Sequence, residues 1–221
     1  MDPGARNVCR YSTVLGGDIN AADGLRVYSG SPTIGNCVFL DNHSRDGGTD
    51  DGGAVYIGPD VQGTLVNCTF IGNTVAEEGG GLANYSLDTV VTSGILWGNR
   101  DGSGEGESAQ IAGSAGQFSY CCARAWTGAL GGEGNFSENP LLDGAVEDAD
   151  RYYLSIDSPC IDTGDPDFQA GDMETDIDGE ERIQGGLVEV GADELFEFPV
   201  PLFRRGDASD AAAVKIADPS R

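Results

Sequence analysis

Asp46, Asp50 and Asp51 crowd one glycine-rich stretch of this chain. Paired acids are what glycosidic cleavage requires, one to protonate the leaving oxygen and one to attack the sugar or activate water. A lyase acting on uronates would instead need a calcium-binding carboxylate cluster beside an Arg or Lys base. Basic partners are few: Arg45 and Arg100 are the only ones between residues 31 and 120, and His43 is the single histidine. Asp50 and Asp51 therefore read first as an exposed acidic turn. No catalytic residue is assigned, and these two acids are the candidates on which an enzyme reading would rest. A second acidic run, Asp172, Asp176, Asp178 and Glu180, offers oxygen ligands for calcium, with Asp176 and Asp178 its central pair. The plainer reading is a charged, solvent-facing edge. With one histidine and no CxxC pair, no zinc site of the usual spacing can be assembled. Gly79-Gly-Gly81 is followed by neither a lysine nor a helix start, so it does not cradle phosphate.

The elements that would hold these residues come from a repeat. Ile34-Gly-Asn-Cys-Val-Phe-Leu-Asp-Asn42 returns as Leu65-Val-Asn-Cys-Thr-Phe-Ile-Gly-Asn73, as Val91-Thr-Ser-Gly-Ile-Leu-Trp-Gly-Asn99 and, weakly, as Phe118-Ser-Tyr-Cys-Cys122, at offsets of 31, 26 and 27 residues. A period of that length marks a stack of small units. Each full unit carries a second strand signal, a glycine pair followed by apolar residues, at Gly52-Gly-Ala-Val-Tyr-Ile57 and Gly79-Gly-Gly-Leu-Ala83. Short strands at so regular a spacing pair with their equivalents one repeat later, in parallel, about 4.8 Å away. The expected fold is all-β, a right-handed parallel β-helix, with Cys37, Phe39, Cys68, Phe70, Leu96, Val55 and Leu82 stacked inward. Asn42, Asn73 and Asn99 close each phrase at a corner. Asparagine tolerates left-handed backbone angles there, and its amide can bond backbone or the next asparagine.

Charge narrows the partners. The 221 residues carry 12 basic and 37 acidic side chains, a net charge of −25. Residues 143–194 hold 17 Asp and Glu against Arg151 and Arg182. Nucleic acid and anionic lipid are bound through phosphate neutralisation by Lys and Arg, so neither is expected as a partner. No apolar run reaches the ~20 residues of a membrane span, and no signal-peptide core stands at the N-terminus. The six cysteines leave two readings open. Cys37, Cys68 and Cys121 hold equivalent repeat positions, which points to a buried column of thiols; an even count also admits disulfides. Asn-x-Ser/Thr triplets at Asn42, Asn67, Asn84 and Asn135 read as corner chemistry rather than glycan acceptors.

Organisation follows the repeat. Residues 1–30 form an irregular N-terminal segment or partial rungs without an evident cap, which suggests that further rungs or another segment precede them. Residues 31–130 are the β-helix rungs, 131–198 irregular terminal rungs and a C-terminal cap, and 199–221 a linker and tail. The phrases SPTIGNCVF, NCTFIGN, ILWGN, NPLL, YYLSIDSPCIDTGD, DIDGEER and VEVGADE resemble bacterial secreted right-handed parallel β-helix repeat proteins, with units similar to polymorphic outer membrane protein repeats. That resemblance implies export, an extracellular or cell-surface home, and commonly no catalytic residues. The tail from Arg205 to Asp218 resembles the start of a dockerin-type calcium loop: Asp207, Ser209 and Asp218 match ligand positions, whereas Ala211 and Ala212 replace a ligand and the turn glycine. The resemblance makes Asp207, Ser209 and Asp218 weak metal candidates, and the alternative is a degenerate remnant in which Ser209 caps a short helix. Calcium is thus the one cofactor the sequence raises.

Two functional readings follow. The first is a non-enzymatic, exported scaffold, monomeric, that presents its long faces to a polysaccharide or a surface protein. The alternative is a polysaccharide lyase or glycoside hydrolase of the same fold. A truncated product without a function of its own is the blandest option.

Overall fold

A computed structural model describes residues 6–9, 19–20, 24–43, 52–114, 117–143, 152–169, 171, 175–184 and 186–195. Asp46, Asp50, Asp51, Asp207, Ser209 and Asp218 lie outside the described residues. The chain is a parallel β-solenoid of about three turns with almost no helix. Its elements are β1 (Arg6–Cys9), β2 (Ile19–Asn20), β3 (Leu25–Gly30), β4 (Thr33–Gly35), β5 (Cys37–Leu40), β6 (Val55–Val61), β7 (Thr64–Val66), β8 (Thr69–Ile71), β9 (Leu82–Asn84), β10 (Val90–Thr92), β11 (Ile95–Trp97), α1 (Glu107–Gln110), β12 (Ile111–Gly113), β13 (Gln117–Ser119) and β14 (Cys122–Ala123). Three sheets run along the axis: β3-β6-β9-β12, β4-β7-β10-β13 and β5-β8-β11-β14, each strand parallel to the next. At one end β1 pairs antiparallel with β5, and β2 with β3. Two of the three sheets therefore have their first parallel strand covered, which the repeat pattern alone did not reveal.

Each turn holds three strands where the sequence suggested two. The repeated phrase is broken by one residue in the left-handed region: Asn36, Asn67, Ser93 and Tyr120 have φ of 52°, 51°, 53° and 52°. A single αL residue redirects the strand without a loop, and asparagine is among the few side chains that accept it cheaply. The second corner is left-handed at Asp41 (53°), Gly72 (66°) and Gly98 (66°), one residue before the asparagines expected to take that role.

Asn42, Asn73 and Asn99 form a buried amide ladder, each bonded to the next. Asn73 Oδ1 accepts from Asn42 N and Nδ2 (2.9 and 2.8 Å), and Asn99 Oδ1 accepts from Asn73 N and Nδ2 (3.0 and 2.9 Å). Gln110 Oε1 continues it, accepting from Asn99 N and Nδ2 at 3.2 and 2.9 Å. The ladder satisfies amides that the turning backbone cannot pair with a neighbouring strand. The glycine pairs have a steric cause: a Cβ on Gly53 would meet Gly80 O at 2.5 Å, and one on Gly80 would meet Arg100 O at 2.3 Å.

The interior is one apolar column. Cys37, Cys68 and Cys121 stack in it with Phe39, Phe70, Leu96, Val55 and Leu82, as the repeat required. Phe39 and Phe70 lie face to face, centroids 5.0 Å apart and 9° from parallel. No disulfide is formed among the described residues.

The described residues between 152 and 195 do not extend the stack. Phe136 adds a short layer beside Cys122, and the chain then returns along the outer face of the β5-β8-β11-β14 sheet. Tyr152, Ile177 and Ala192 cover Val38, Leu40 and Ile71, while Leu154, Cys160 and Val190 cover Ile95 and Cys122. Each aliphatic side chain so buried contributes about 1.5–3 kcal/mol. Ala192 N donates to Thr69 Oγ1 (2.9 Å) and Gly191 N to Ser93 O (2.9 Å). Gly191 sits so close to the sheet, at φ 112°, that a Cβ would meet Ile95 Cδ1 at 2.7 Å.

Candidate functional site: a lateral cleft around Trp97

The returning segment leaves a cleft of about 500 Å³ along one margin of the sheet, between the second corner of the rungs and the loop at Asn139–Leu142. Stacking assembles it. Trp97 stands in register with Ile71, and Ile71 with Leu40, so an indole takes the place that the other turns give to an aliphatic side chain. Arg100 follows the ladder residue Asn99 and pairs with Thr74 of the turn below. Arg124 follows β14, its N–H donating to Leu96 O at 3.1 Å.

Glu105 is presented by a tight excursion between β11 and α1. Asp101 builds that turn: its Oδ1 accepts from Ser103 N (2.7 Å) and Gly104 N (2.9 Å), and its Oδ2 from Ser108 Oγ (2.6 Å). The Glu105 carboxylate is bridged on both oxygens, one by Arg100 and the other by Arg124. Asp41, Asn139 and Pro140 complete the lining. An aromatic platform flanked by planar guanidinium and carboxylate groups offers both an apolar face and fixed hydrogen bonds, the usual composition of a small-molecule or glycan site.

A second exposed feature lies on the β3-β6-β9-β12 sheet. Tyr28, Tyr56 and Tyr85 climb its outer face with centroids 5.8 and 5.7 Å apart, and the Arg26 guanidinium lies 5.4 Å from the Tyr56 ring centroid. Tyr28 is 45% exposed.

Of the second acidic run, Asp176 is buried, Asp178 and Glu180 are half-buried, and Asp172 lies outside the described residues. Asp176, Glu189, Asp193 and Glu194 are buried, with Arg182 at 0% exposure. Asp176 Oδ1 accepts from the backbone N–H groups of Asp178, Gly179 and Glu180, all at 2.9 Å, and Oδ2 from Glu194 N at 3.0 Å. Asp193 Oδ2 accepts from Leu154 N (2.7 Å), Glu189 Oε2 from Leu195 N (2.8 Å), and Glu194 from the N–H groups of Gln184 and Glu189 (both 3.2 Å). A segment poor in strand pairing needs acceptors for its amides, and buried carboxylates supply them. Arg182 donates to Glu189 O and Gly191 O (3.0 and 2.6 Å), and its Nε lies 3.9 Å from Glu194. Burial pushes the Glu194 carboxyl up to about 9, with Arg182 opposing the shift and Glu189 adding to it.

Asp176, Asp178 and Asp193 bring one carboxylate oxygen each within 4.8 Å of one another. Asp176 and Asp178 are thus neighbours in space, as their spacing suggested. Four backbone amides already occupy Asp176, however, and calcium requires six to eight oxygen ligands. The sequence reading did not find the cleft, although two signals pointed to it: Trp97, the one tryptophan in the repeated phrase, and Arg100 in a stretch nearly free of basic residues.

No helix among the described residues is long and apolar enough to cross a membrane. Comparison with family models, with curated proteins and with solved structures gave no match.

Proposed function

We propose that the protein is a non-enzymatic, exported β-helix scaffold whose Trp97 cleft binds a polysaccharide. The observation that carries this reading is the pairing of an indole with two guanidinium groups and a carboxylate at the margin of a rigid sheet. A pyranose ring packs its C–H face on an aromatic surface, and its hydroxyls bond to planar donors and acceptors fixed at the rim. The stack and the returning segment hold those groups in place, so little ordering entropy opposes binding. The tyrosine row offers a second surface of the same chemical kind. Export and a cell-surface setting rest on the resemblance to secreted bacterial β-helix repeat proteins.

The test is calorimetric titration of the protein with neutral and uronate-containing polysaccharides. Trp97→Ala should weaken binding at least about tenfold, which is ~1.4 kcal/mol. If no polysaccharide binds, or if the variant binds as the parent does, the proposal fails.

One observation favours the enzymatic alternative: Asp41 and Glu105 line the same cleft, and a glycoside hydrolase needs two carboxyl groups across its sugar. Against it stands the engagement of both Glu105 oxygens by arginines.

A further inference from the structure

Cys37 and Cys68 sit on successive turns and Cys121 two turns beyond Cys68, with Gly94 at the equivalent place between; each thiol donates to a carbonyl two residues back, at 3.1, 3.3 and 3.1 Å. Cys122 and Cys160 differ. Cys122 lies on the outer side of β14, and Cys160 lies on the returning segment. Both are at 0% exposure, in one cluster with Ile95, Leu154 and Val190. The Cys122 thiol donates to Glu138 O at 3.2 Å, and Cys160 packs beside it within that cluster. Both backbones are held: Cys122 N donates to Gly94 O (2.9 Å), and Val190 N donates to Cys160 O (2.9 Å). The two buried cysteines thus share one cluster at the joint between the solenoid and the segment that covers it.

We infer that Cys122 and Cys160 form a disulfide when the chain folds in an oxidising compartment, a covalent staple that fastens the returning segment to the sheet. The oxidant is a small disulfide such as glutathione disulfide, or the disulfide of an oxidoreductase. One cysteine thiolate attacks a sulfur of the oxidant, forming a mixed disulfide and releasing one thiol. The second cysteine thiolate then attacks the mixed disulfide at the protein sulfur and releases the other thiol. Two protein thiols and one oxidant disulfide thereby become one protein disulfide and two oxidant thiols.

Timing follows from burial. The Cys160 contact and the surrounding apolar packing push the Cys122 thiol well above its usual range. Docked, Cys122 holds almost no thiolate, so the bond forms while the segment is still closing. Once closed, the same packing shields it from reductants, making it a structural bond rather than a switch. It joins elements far apart in sequence, so the gain comes from restraining the unfolded chain.

The experiment refolds the full chain with a mixture of reduced and oxidised glutathione, alkylates exposed thiols in denaturant, and maps peptides without reduction. The expected product links the Cys122 and Cys160 peptides, lighter by two hydrogens than their sum. A melting temperature several degrees higher before than after reduction should accompany it, and Cys160→Ser should abolish that difference. Where that variant folds poorly, Cys122→Ala gives the same comparison. Full alkylation of both cysteines after oxidative refolding overturns the inference, as does linkage of either to Cys9, Cys37, Cys68 or Cys121. Polysaccharide binding plays no part in the readout, so this inference and the proposed function fail separately.

Discussion

Asn73→Ala should be among the most damaging substitutions in the protein, although it removes only a small polar side chain. Asn73 Oδ1 is the acceptor for two buried donors, Asn42 N and Asn42 Nδ2. Its Nδ2 donates to Phe39 O at 2.9 Å and to Asn99 Oδ1 at 2.9 Å. After truncation Asn99 Oδ1 keeps the backbone N–H of residue 73, but both Asn42 donors lose this acceptor at a site 2% exposed. Each buried donor left unmade costs about 1–3 kcal/mol, so the pair gives about 2–6 kcal/mol. Against a native stability of about 5–15 kcal/mol, that is a large fraction. Asn73→Asp separates the two halves of the amide: it restores the acceptor but sets a carboxylate oxygen against Phe39 O and Asn99 Oδ1. It should therefore be destabilised at neutral pH and recover partly in acid. The assay is urea unfolding followed by tryptophan fluorescence and circular dichroism, extrapolated linearly, with exposed Glu77→Gln as the control, expected within about 0.5 kcal/mol of the parent. A cost below about 1 kcal/mol for the alanine variant, or an aspartate variant as stable as the parent at neutral pH, would refute the ladder as a source of stability.

Other perturbations read different parts of the fold. Phe70→Ala empties the centre of the column beneath Phe39 and should cost about 3–5 kcal/mol in the same unfolding assay; a shift no larger than that of Glu77→Gln would mean the faces are assigned wrongly. Glu194, held protonated by burial up to about 9, contributes stability that is complete below the unfolded carboxylate range and is lost as pH rises through the native value. Glu194→Gln should therefore flatten the fall in stability between the ordinary carboxylate value of 4.5 and about 9, by up to about 1.4 kcal/mol per pH unit, and an unchanged slope would contradict it. Calcium at a hundredfold excess over its dissociation constant would add about 2.7 kcal/mol. Any such melting shift should survive deletion of residues 202–221, because the tail lacks a ligand at Ala211 and the turn glycine at Ala212; loss of the shift with the tail would make that loop a working site.

The repeat made the parallel stack and its inward column legible, since stacking equivalent positions is what a fixed period does. It did not show the third strand of each turn, because a one-residue αL break at Asn36 or Asn67 leaves no gap in the apolar pattern. The returning segment was harder still. An acid that caps backbone amides and an acid that faces water look alike in sequence, so Asp176 suggested solvent when it is buried. A hint was present in Cys37-Val-Phe-Leu40, whose alternate positions are apolar on both sides, the mark of a strand covered on both faces. The cleft needed three dimensions, because Trp97, Glu105 and Arg124 belong to different parts of the rungs and meet only through their stacking.

The most direct measurement follows a polysaccharide that the protein binds through long incubation, with reducing ends and the ultraviolet absorbance of unsaturated uronates recorded on the sample used for titration. The account predicts saturable binding that Trp97→Ala weakens, with the length of the polysaccharide unchanged. Sustained turnover, abolished by Glu105→Gln or Asp41→Asn while binding persists, would contradict it and make the cleft an active site.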